Sequence, residues 1–302
     1  MSDLEDLRTT VRDFLSVHAP VRSQLTDDNA VWKRLTAELG LMSLPSEELP
    51  FSYTCAVLQE TGRVLLRAPY LPTVVAATAL TALGDTTHLS GLADGSVIAA
   101  LALDGSLEEV AHAAEATLLL LAVGDDLYVV DDFTTEPLDP LDPTRPRARV
   151  TARPGRLVGN ASHARDLLWV GLAAECVGAA HRVLEMTVEH LLVREQFGRP
   201  LGSFQALRHR VADLTVAVEA ATSSAWYAAQ AIEDLPVVAP LAKAVAADAF
   251  VQIAGDSVQL HGGIGFTWEH DLHLYFKRAW TTALTNGNGR ALRRLAFERA
   301  GR

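Results

Sequence analysis

Between two long apolar stretches the chain carries a short polar segment, Arg194–Gln205, that is punctuated by glycine and proline. Apolar side chains recur every three or four residues on both sides of it, a spacing that predicts two long helices buried on more than one side. A loop between helices exposes backbone N–H groups, and Arg194 stands at the bend, so the segment could bind an anion such as phosphate. The alternative is an ordinary helical hairpin with a solvated arginine. The first helix is expected to end on Gly198, Pro200 and Gly202, and Ser203 is expected to cap the second.

A second glycine-rich stretch, Gln259–His273, ends another apolar segment and restarts a helix at once. Glycine lets a backbone approach a phosphate closely, so this stretch could also contact a nucleotide. The alternative is a turn that merely terminates a helix. Thr267 is expected to cap the helix that follows, with Glu269 and Asp271 near its positive end.

The histidines of the second stretch raise the question of a metal site. His261, His270 and His273 could act as ligands together with Glu269 and Asp271. Zinc sites use compact sets of three or four ligands at characteristic spacings, and no such set surrounds these residues. No metal is therefore predicted.

Taken together, the two stretches and the spacing between them resemble the C-terminal domain of the acyl-CoA dehydrogenase family of flavoproteins. The resemblance is strong from about Arg165 to Arg302 and holds only in outline before that. It implies that Arg194 contacts the pyrophosphate of FAD. It also implies contacts to the adenosine half of the cofactor from Gln196, Phe197 and Gln205, and contacts to the same dinucleotide from a neighbouring subunit by Gln259, Gly262 and Gly263. Because the family builds each flavin site across a subunit interface, an oligomer is expected.

The family's catalytic base is the main departure from this pattern. A carboxylate whose pKa is raised in an apolar pocket removes the α-proton of an acyl-CoA, while the β-hydrogen leaves as hydride to the flavin. In most members the base is a glutamate at the position of Asn286, and in others it lies on the long helix at the position of Leu168. Neither asparagine nor leucine can take a proton, and Trp169 replaces an arginine beside the second position.

Two carboxylates on the same predicted helix remain as candidate bases. Asp166 lies about 200° around the helix from Leu168, and its simpler interpretation is a first-turn carboxylate near a helix N-terminus. Glu175 lies two turns further on in an apolar stretch. It could be the base, or it could belong to a buried ion pair with an arginine.

The middle of the chain is also shorter than the family's β-domain. That domain usually carries a Thr-Glu-Pro-x-x-Gly-Ser-Asp segment that contacts flavin and substrate. Thr135–Pro137 lacks the following glycine and serine and lies late in the domain, so we interpret it as an accidental match. With both base positions changed, the chain resembles the short, base-lacking subunit of the α2β2 acyl-CoA dehydrogenases of actinobacterial steroid catabolism, which suggests a bulky, polycyclic acyl group.

Three hypotheses follow from the resemblance. In the first, the chain is a subunit of an FAD-dependent acyl-CoA dehydrogenase that forms a 2,3-enoyl-CoA, a second dehydrogenase-like subunit supplies the base, and an electron-transfer flavoprotein reoxidises the flavin. In the second, it is a self-sufficient homotetrameric dehydrogenase or oxidase that uses Glu175 or Asp166. In the third, it is a flavin-free structural subunit.

Composition restricts the remaining classes of function. A formal net charge of −11 argues against binding to nucleic acid or to anionic membrane surfaces. No apolar run approaches the length of a membrane span, and the acidic N-terminus is not a secretion signal. Cys55 and Cys176 form no CxxC pair and sit in apolar surroundings, so two buried thiols in the cytoplasm are expected.

The elements that position these residues indicate an α+β fold that is mostly α. We predict an N-terminal helical domain over 1–92, a reduced β-domain over 93–160 and a C-terminal helical bundle over 161–302. The N-terminal helices are predicted over 3–16, 28–40, 51–65 and 73–83, and the bundle helices over 162–193, 203–233, 240–260, 267–282 and 289–300. Short apolar runs predict strands over 97–103 and 117–123, a hairpin at Gly124, an irregular edge over 132–147 and a strand over 148–152. Pro240 is expected in the first turn of its helix.

Overall fold

The N-terminal part of the chain is helical, as predicted. A computed structural model describes residues 3–26, 30–46 and 49–301. The helices here are α1 (Asp3–His18), α2 (Ala30–Ala37), α3 (Phe51–Arg63), α4 (Tyr70–Ala82) and α5 (Leu89–Asp94). The helix predicted over 28–40 is confirmed for residues 30–37, and its first two residues lie outside the described ranges.

Two small sheets form the middle of the chain. The first contains, in spatial order, β1 (Ala99–Ala102), β3 (Leu118–Val123), β4 (Asp126–Val130) and β7 (Arg156–Asn160). In this sheet β1 runs parallel to β3, and the other neighbours are antiparallel. The second contains β2 (Val110–Ala111), β6 (Arg147–Ala152) and β5 (Phe133–Pro137), all antiparallel.

The hairpin predicted at Gly124 is confirmed, whereas the irregular edge predicted over 132–147 is partly wrong. β3 and β4 pair across a tight turn in which Gly124 has φ of +61°. β5 lies inside the supposed irregular stretch, because only the residues after Pro137 are dominated by proline and aspartate. Its place at the edge of the sheet also tolerates Pro137, since an edge strand does not need every N–H for pairing.

The C-terminal bundle follows the predicted plan. Its helices are α6 (Ser162–Val193), α7 (Gln205–Gln230), α8 (Leu235–His261), α9 (Leu272–Leu284) and α10 (Gly289–Ala300). The bounds predicted for α6 and α10 are confirmed, and those of the other three shift by one to five residues. Asn288 caps α10, where its side chain accepts from the N–H of Ala291 at 3.0 Å.

Two of the predicted caps are wrong. Ser203 lies in a 3-10 turn, Leu201–Ser203, and its hydroxyl donates to the carbonyl of Pro200 at 2.7 Å instead of capping α7. The Thr267 hydroxyl donates to the carbonyl of Ile264 at 3.0 Å, which closes the 3-10 segment Gly262–Phe266. Both hydroxyls satisfy carbonyls of the preceding turn, so the helices that follow begin without them.

The place predicted for Pro240 is also wrong. α8 begins at Leu235 with Pro236 in its first turn, and Pro240 lies in the helix interior. Proline has no N–H, so Pro240 cannot donate to the carbonyl of Pro236 one turn earlier. That carbonyl instead accepts from Nη1 of Arg299 at 2.7 Å, which explains how the helix tolerates the proline.

The long helices form the core of the protein. Contrary to expectation, two segments, Ser162–Val193 and Leu235–Phe266, are long and apolar enough to cross a membrane, although 89% and 61% of their most apolar windows are buried inside the protein. They share one hydrophobic core with the N-terminal helices and the first sheet, whose members include Leu15, Leu120 and Leu292. A smaller core lies between the two sheets.

A close crossing of α3 and α6 fixes the part of α6 that faces the candidate site. A Cβ at Gly178 would lie 1.7 Å from the carbonyl oxygen of Gln59, and a Cβ at Gly62 would lie 2.1 Å from that of Glu175. Only glycine permits backbones to approach this closely. The crossing therefore sets the position of Glu175.

Candidate functional site

The segment after α6 is a miniature hairpin with a strained turn. Arg194 caps α6 through its N–H, which donates to the carbonyl of His190 at 2.9 Å. The hairpin strands are β8 (Glu195–Gln196) and β9 (Arg199–Pro200). Phe197 and Gly198 form the turn with φ of +54° and +75°, a conformation that favours asparagine and glycine over a bulky residue. A bulky side chain at a positive φ strains the backbone, and strained residues cluster at functional sites.

The turn presents an aromatic ring to the outside. Phe197 is 92% exposed. Its ring meets the edge of Phe204 at 6.2 Å, and the guanidinium of Arg199 lies 4.0 Å from the centre of the Phe204 ring. Arg194 is exposed and forms no ion pair with any residue that the structure describes. The segment therefore offers an exposed ring and an uncommitted guanidinium on a preorganised loop.

The second glycine stretch offers open backbone at the same end of the bundle. Gly262 has φ of +64°, so its conformation accounts for the glycine. Gly263 has no positive φ, and a Cβ placed on it would meet nothing within 4 Å. Gly265, in contrast, is required by packing, because its Cβ would lie 2.7 Å from the carbonyl oxygen of Val258. Neither conformation nor packing explains Gly263, which fits close approach by another molecule.

The three glutamines predicted to contact the cofactor lie on the surface in or next to these two motifs. Their side chains make few contacts with the rest of the protein. Gln259 and Gln205 are exposed, and the Gln205 amide lies 3.5 Å from Nε2 of His209. Gln196 donates to the carbonyl of its neighbour Glu195 at 2.8 Å. Their polar groups are available for a ligand.

The histidines of the second motif pack against other aromatic rings. His190, His261 and His270 pack ring against ring, and His273 packs against Trp268. Within residues 3–26, 30–46 and 49–301, no group of three or more His, Cys, Asp or Glu side chains is arranged to hold a metal ion.

The two positions where the family carries its base meet in one pocket. Leu168 and Asn286 both line a pocket of about 40 Å³ between α6, the end of α9 and the second sheet. Glu175 and Arg145 line it as well. Asn286 has φ of +53°, and its carbonyl accepts from Nε1 of Trp169 at 2.8 Å, so the replacements at 169 and 286 bond to each other.

Glu175 is committed to a buried ion pair. Its carboxylate accepts from Nη2 of Arg145, and only 8% and 5% of the two residues are exposed. The guanidinium of Arg145 thus occupies a carboxylate oxygen of Glu175, whereas a catalytic base needs a carboxylate that is free to meet the substrate's proton. The ion pair that the sequence offered as the alternative is the one observed.

Asp166 is committed to a different partner. It is buried and accepts from Nη1 of Arg299 at 2.7 Å. Burial raises the pKa of Asp166, and Arg299 opposes that rise. Its partner lies on α10, away from the ion pair of Glu175, so the structure does not bring the two candidate bases together.

A second buried ion pair adjoins the first and was not predicted from the sequence. Nε of Arg278 donates to Asp142 at 2.9 Å, and Nη2 of Arg278 donates to the carbonyl of Thr144 at 2.6 Å. Burial lowers the pKa of Arg278. The only signal in the sequence is the run of aspartates and arginines over 139–149, whose partners on α6 and α9 lie far away in the chain.

Lys243 also escaped prediction, although a lone lysine in an apolar helix is a visible signal. It is fully buried on α8 and donates to the carbonyls of Ala283 at 3.2 Å and Gly287 at 2.6 Å. These carbonyls flank Asn286 at the end of α9, where a cation is favourable. Burial lowers the pKa of Lys243 to about 8. The lysine thus fixes the loop that carries Asn286.

A larger cleft of about 700 Å³ opens beside the small pocket and shares Asn286 with it. Its lining includes four carboxylate residues: Asp104, Glu108, Glu109 and Asp139. Arg147 also lines it, but donates to Glu109 at 3.1 Å and to Thr285 at 2.6 Å. An acidic cleft whose guanidinium is already engaged is unfavourable for polyanions such as CoA or a pyrophosphate.

The phosphate-type motifs and the pocket lie at opposite parts of α6. Leu168 is in its second turn and Arg194 just follows its end. At about 1.5 Å per residue the two are roughly 40 Å apart. An extended dinucleotide is shorter than this, so a nucleotide held at Arg194 does not reach the pocket of the same chain.

Proteins of similar sequence include several acyl-CoA dehydrogenases. The family model "Acyl-CoA dehydrogenase, C-terminal domain" matches residues 168–301. Acyl-CoA dehydrogenase IpdE2 of Mycobacterium tuberculosis is 38% identical over 97% of this chain and 96% of its own length. Acyl-CoA dehydrogenase FadE34 of the same organism is 35% identical over 82% of this chain, which corresponds to 38% of that protein.

Solved structures show the same fold. A variant of the steroid ACAD Tcur3481-Tcur3483 superposes with a TM-score of 0.90 at 26% identity, covering 99% of both chains. The ChsE4-ChsE5 complex from Mycobacterium tuberculosis gives a TM-score of 0.90 at 24% identity, covering 100% of this chain and 98% of that one. The near-complete coverage of IpdE2, together with the fold and the two motifs, shows that the chain belongs to the acyl-CoA dehydrogenase family.

Proposed function

We propose that this chain is the base-lacking subunit of an FAD-dependent acyl-CoA dehydrogenase that forms a 2,3-enoyl-CoA from a CoA thioester. One observation carries the proposal: Leu168 and Asn286, at the two positions that the resemblance assigns to the base, line one pocket, and the carboxylate that lines it with them, Glu175, is paired with Arg145. A base must be free to accept the α-proton. A partner subunit therefore supplies it.

The chain's own contribution is to hold the flavin nucleotide. Bound FAD supplies the hydride acceptor for the reaction. Arg194 would pair with its phosphates bidentately, and Gly262 and Gly263 would let the backbone approach the same group. Exposed Phe197, with Gln196, Gln205 and Gln259, would contact the adenosine half. The open space at Gly263 and the uncommitted guanidinium support this fit.

The distance along α6 supports a flavin site shared between subunits. FAD bound at Arg194 lies too far from the Asn286 pocket of the same chain. Its flavin ring would therefore lie in a pocket on another chain. The acidic cleft beside Asn286 supports the same division, because it disfavours CoA and pyrophosphate. Each active site would thus combine this chain's phosphate contacts with the partner's base.

The proposed partner is a second dehydrogenase-like chain in an α2β2 tetramer. The similarity to ChsE4-ChsE5, a complex of two proteins, supports this assembly. Large apolar side chains are exposed around the second motif and along α9: Ile264, Phe266, Trp268, Phe276, Trp280 and Leu284. Exposed aromatic groups of this density are typical of subunit interfaces. An electron-transfer flavoprotein would reoxidise the flavin.

The proposed substrate carries a bulky, polycyclic acyl group, as in steroid catabolism. The reduced β-domain and the similarity to a steroid ACAD support this class. The two cysteines are free and buried, and burial raises the pKa of the Cys176 thiol to about 12, which fits the proposed cytoplasmic location. The division into three domains at 1–92, 93–160 and 161–302 stays a prediction.

Flavin absorbance and native mass test the proposal on the chain purified alone and co-expressed with a dehydrogenase-like neighbouring gene. We expect colourless protein alone and a yellow two-component tetramer with the partner, which acyl-CoA bleaches. Yellow protein of one subunit type that acyl-CoA bleaches would instead support a self-sufficient homotetramer using Glu175 or Asp166. A tetramer whose flavin content survives Arg194→Ala unchanged would support a flavin-free structural subunit.

A further inference from the structure

Three imidazole rings stack at the end of the bundle that carries both flavin-contact motifs. The rings of His190 and His261 lie 4.3 Å apart and nearly parallel, at 25°. The centre of the His270 ring lies 4.7 Å from that of the His261 ring, and the two ring planes are tilted by 61°. The three histidines come from α6, α8 and the turn before α9, so their rings join three elements.

The two main rings belong to residues whose backbone adjoins the start of each motif. The carbonyl of His190 accepts the N–H of Arg194 at 2.9 Å, and Leu201 then donates to the Arg194 carbonyl at 2.8 Å. His261 is the last residue of α8 and directly precedes Gly262 and the 3-10 segment. The stack between the two rings therefore sets how Arg194 and Gly262 lie relative to each other.

The surroundings of the stack favour neutral rings. Nδ1 of His261 lies 2.7 Å from the carbonyl of Ser257, to which it donates in the neutral tautomer. Nε2 of His261 is buried and has no hydrogen-bond partner among the described residues. Burial is the main reason that the pKa of His261 is lowered to about 4, and burial also lowers the pKa values of His190 and His270.

The charged groups around the stack are mostly cationic. Arg194 acts on His190, and Arg22 acts on His270 and is paired with Asp271 at 2.6 Å. On α9, His273 packs against Trp268 and has Lys277 near it. Three influences oppose this trend: the backbone of Ser257 and that of Met186 favour protonation of His261, and Asp271 favours protonation of His270.

We propose that His190 and His261 are positioning residues that hold the two flavin-contact motifs in register only while both rings are neutral, so that acid separates the motifs and releases the flavin. Protonation would place like charges on rings in van der Waals contact and beside Arg194, with no carboxylate facing His261 among the described residues. This inference rests on the proposed flavin contact at Arg194 and Gly262.

The test compares flavin retention of the yellow complex between pH 7.5 and 4. In His190→Phe/His261→Phe the aromatic stack persists without a titratable group, whereas His163→Phe changes an exposed histidine at the opposite end of α6 and is the matched control. We expect the wild type and the control to lose more than about half of their flavin by pH 4, where His261 titrates. The double variant should retain it.

Two results would overturn the inference: flavin retention by the wild type at pH 4, or loss from the double variant over the same pH interval. The single variant His190→Phe, at a partly exposed position, serves if the double variant does not fold, and it should lower the pH of release. If no flavin is bound at any pH, the proposed function fails. The stack is then tested on the flavin-free chain, whose thermal midpoint should fall on acidification more in the wild type than in the variant.

Discussion

Replacing Glu175 by leucine should destabilise the protein far more than replacing Glu175 and Arg145 together. The two side chains are 10% and 6% exposed, so the single variant leaves a guanidinium buried without its carboxylate. Burial lowers the pKa of both Arg147 and Arg278, and the nearby charge of Arg145 lowers it further, so two more cations lie close to Arg145. The cost should therefore reach the upper part of the usual range for a broken buried pair, about 3–5 kcal/mol.

The double variant Glu175→Leu/Arg145→Met removes both charges and keeps similar side-chain volumes. Because burying either charge is itself costly, the double variant should unfold within about 1 kcal/mol of the wild type. Urea unfolding followed by circular dichroism measures both variants, and the double-mutant cycle gives the coupling energy. A single variant that costs less than 1 kcal/mol, or a double variant as unstable as the single, would refute a buried pair at this position.

Three further perturbations separate packing, ligand approach and protonation. Gly178→Ala should lower the free energy of unfolding by more than about 3 kcal/mol, since its Cβ would lie 1.7 Å from the carbonyl oxygen of Gln59; an unchanged thermal midpoint would contradict the close crossing. Gly263→Ala should leave the free energy of unfolding within about 0.5 kcal/mol and yet weaken flavin binding by the complex, and unchanged flavin retention would contradict the proposed contact. The buried amine of Lys243 has a pKa of about 8 in the folded state against an ordinary 10.5, so the unfolded chain binds more protons between these values. The free energy of unfolding should rise over that interval by about 3 kcal/mol, and in Lys243→Met the rise should disappear.

Apolar periodicity in the sequence was enough to predict the long helices, but not the elements that depend on contacts between distant residues. α6 was predicted to the residue, because an apolar periodicity begins after Ser162 and stops at the polar Arg194. The β8–β9 hairpin was not predicted, because strands of two residues show no periodicity. Its turn also contains a phenylalanine in a conformation that favours glycine, so it lacks the usual turn signal. α8 was predicted to start at Pro240, because proline normally occupies the first turn of a helix. The local sequence does not show that Arg299 on α10 bonds the Pro236 carbonyl and so allows Pro240 inside the helix.

The candidate site shows the same limit. The resemblance identified Leu168 and Asn286 as the two base positions, and the structure brings both into one pocket. Glu175 was recognised as a possible ion-pair member, but its partner Arg145 lies on a loop between two strands, where sequence pattern specifies neither side-chain direction nor contact. Tertiary packing, not local sequence, selects between a base and a salt bridge.

Turnover of the two-component complex with Glu175→Gln in this chain tests most directly whether the base lies elsewhere. Glutamine keeps the shape and an oxygen that can still accept from Arg145, but it cannot accept a proton at neutral pH. If the partner supplies the base, kcat for acyl-CoA oxidation should stay within about threefold of the wild type, as expected for a group outside the chemical step. A fall of about a hundredfold or more, in a complex that keeps its flavin and stays folded at the assay temperature, would show that Glu175 is the base and would contradict the account.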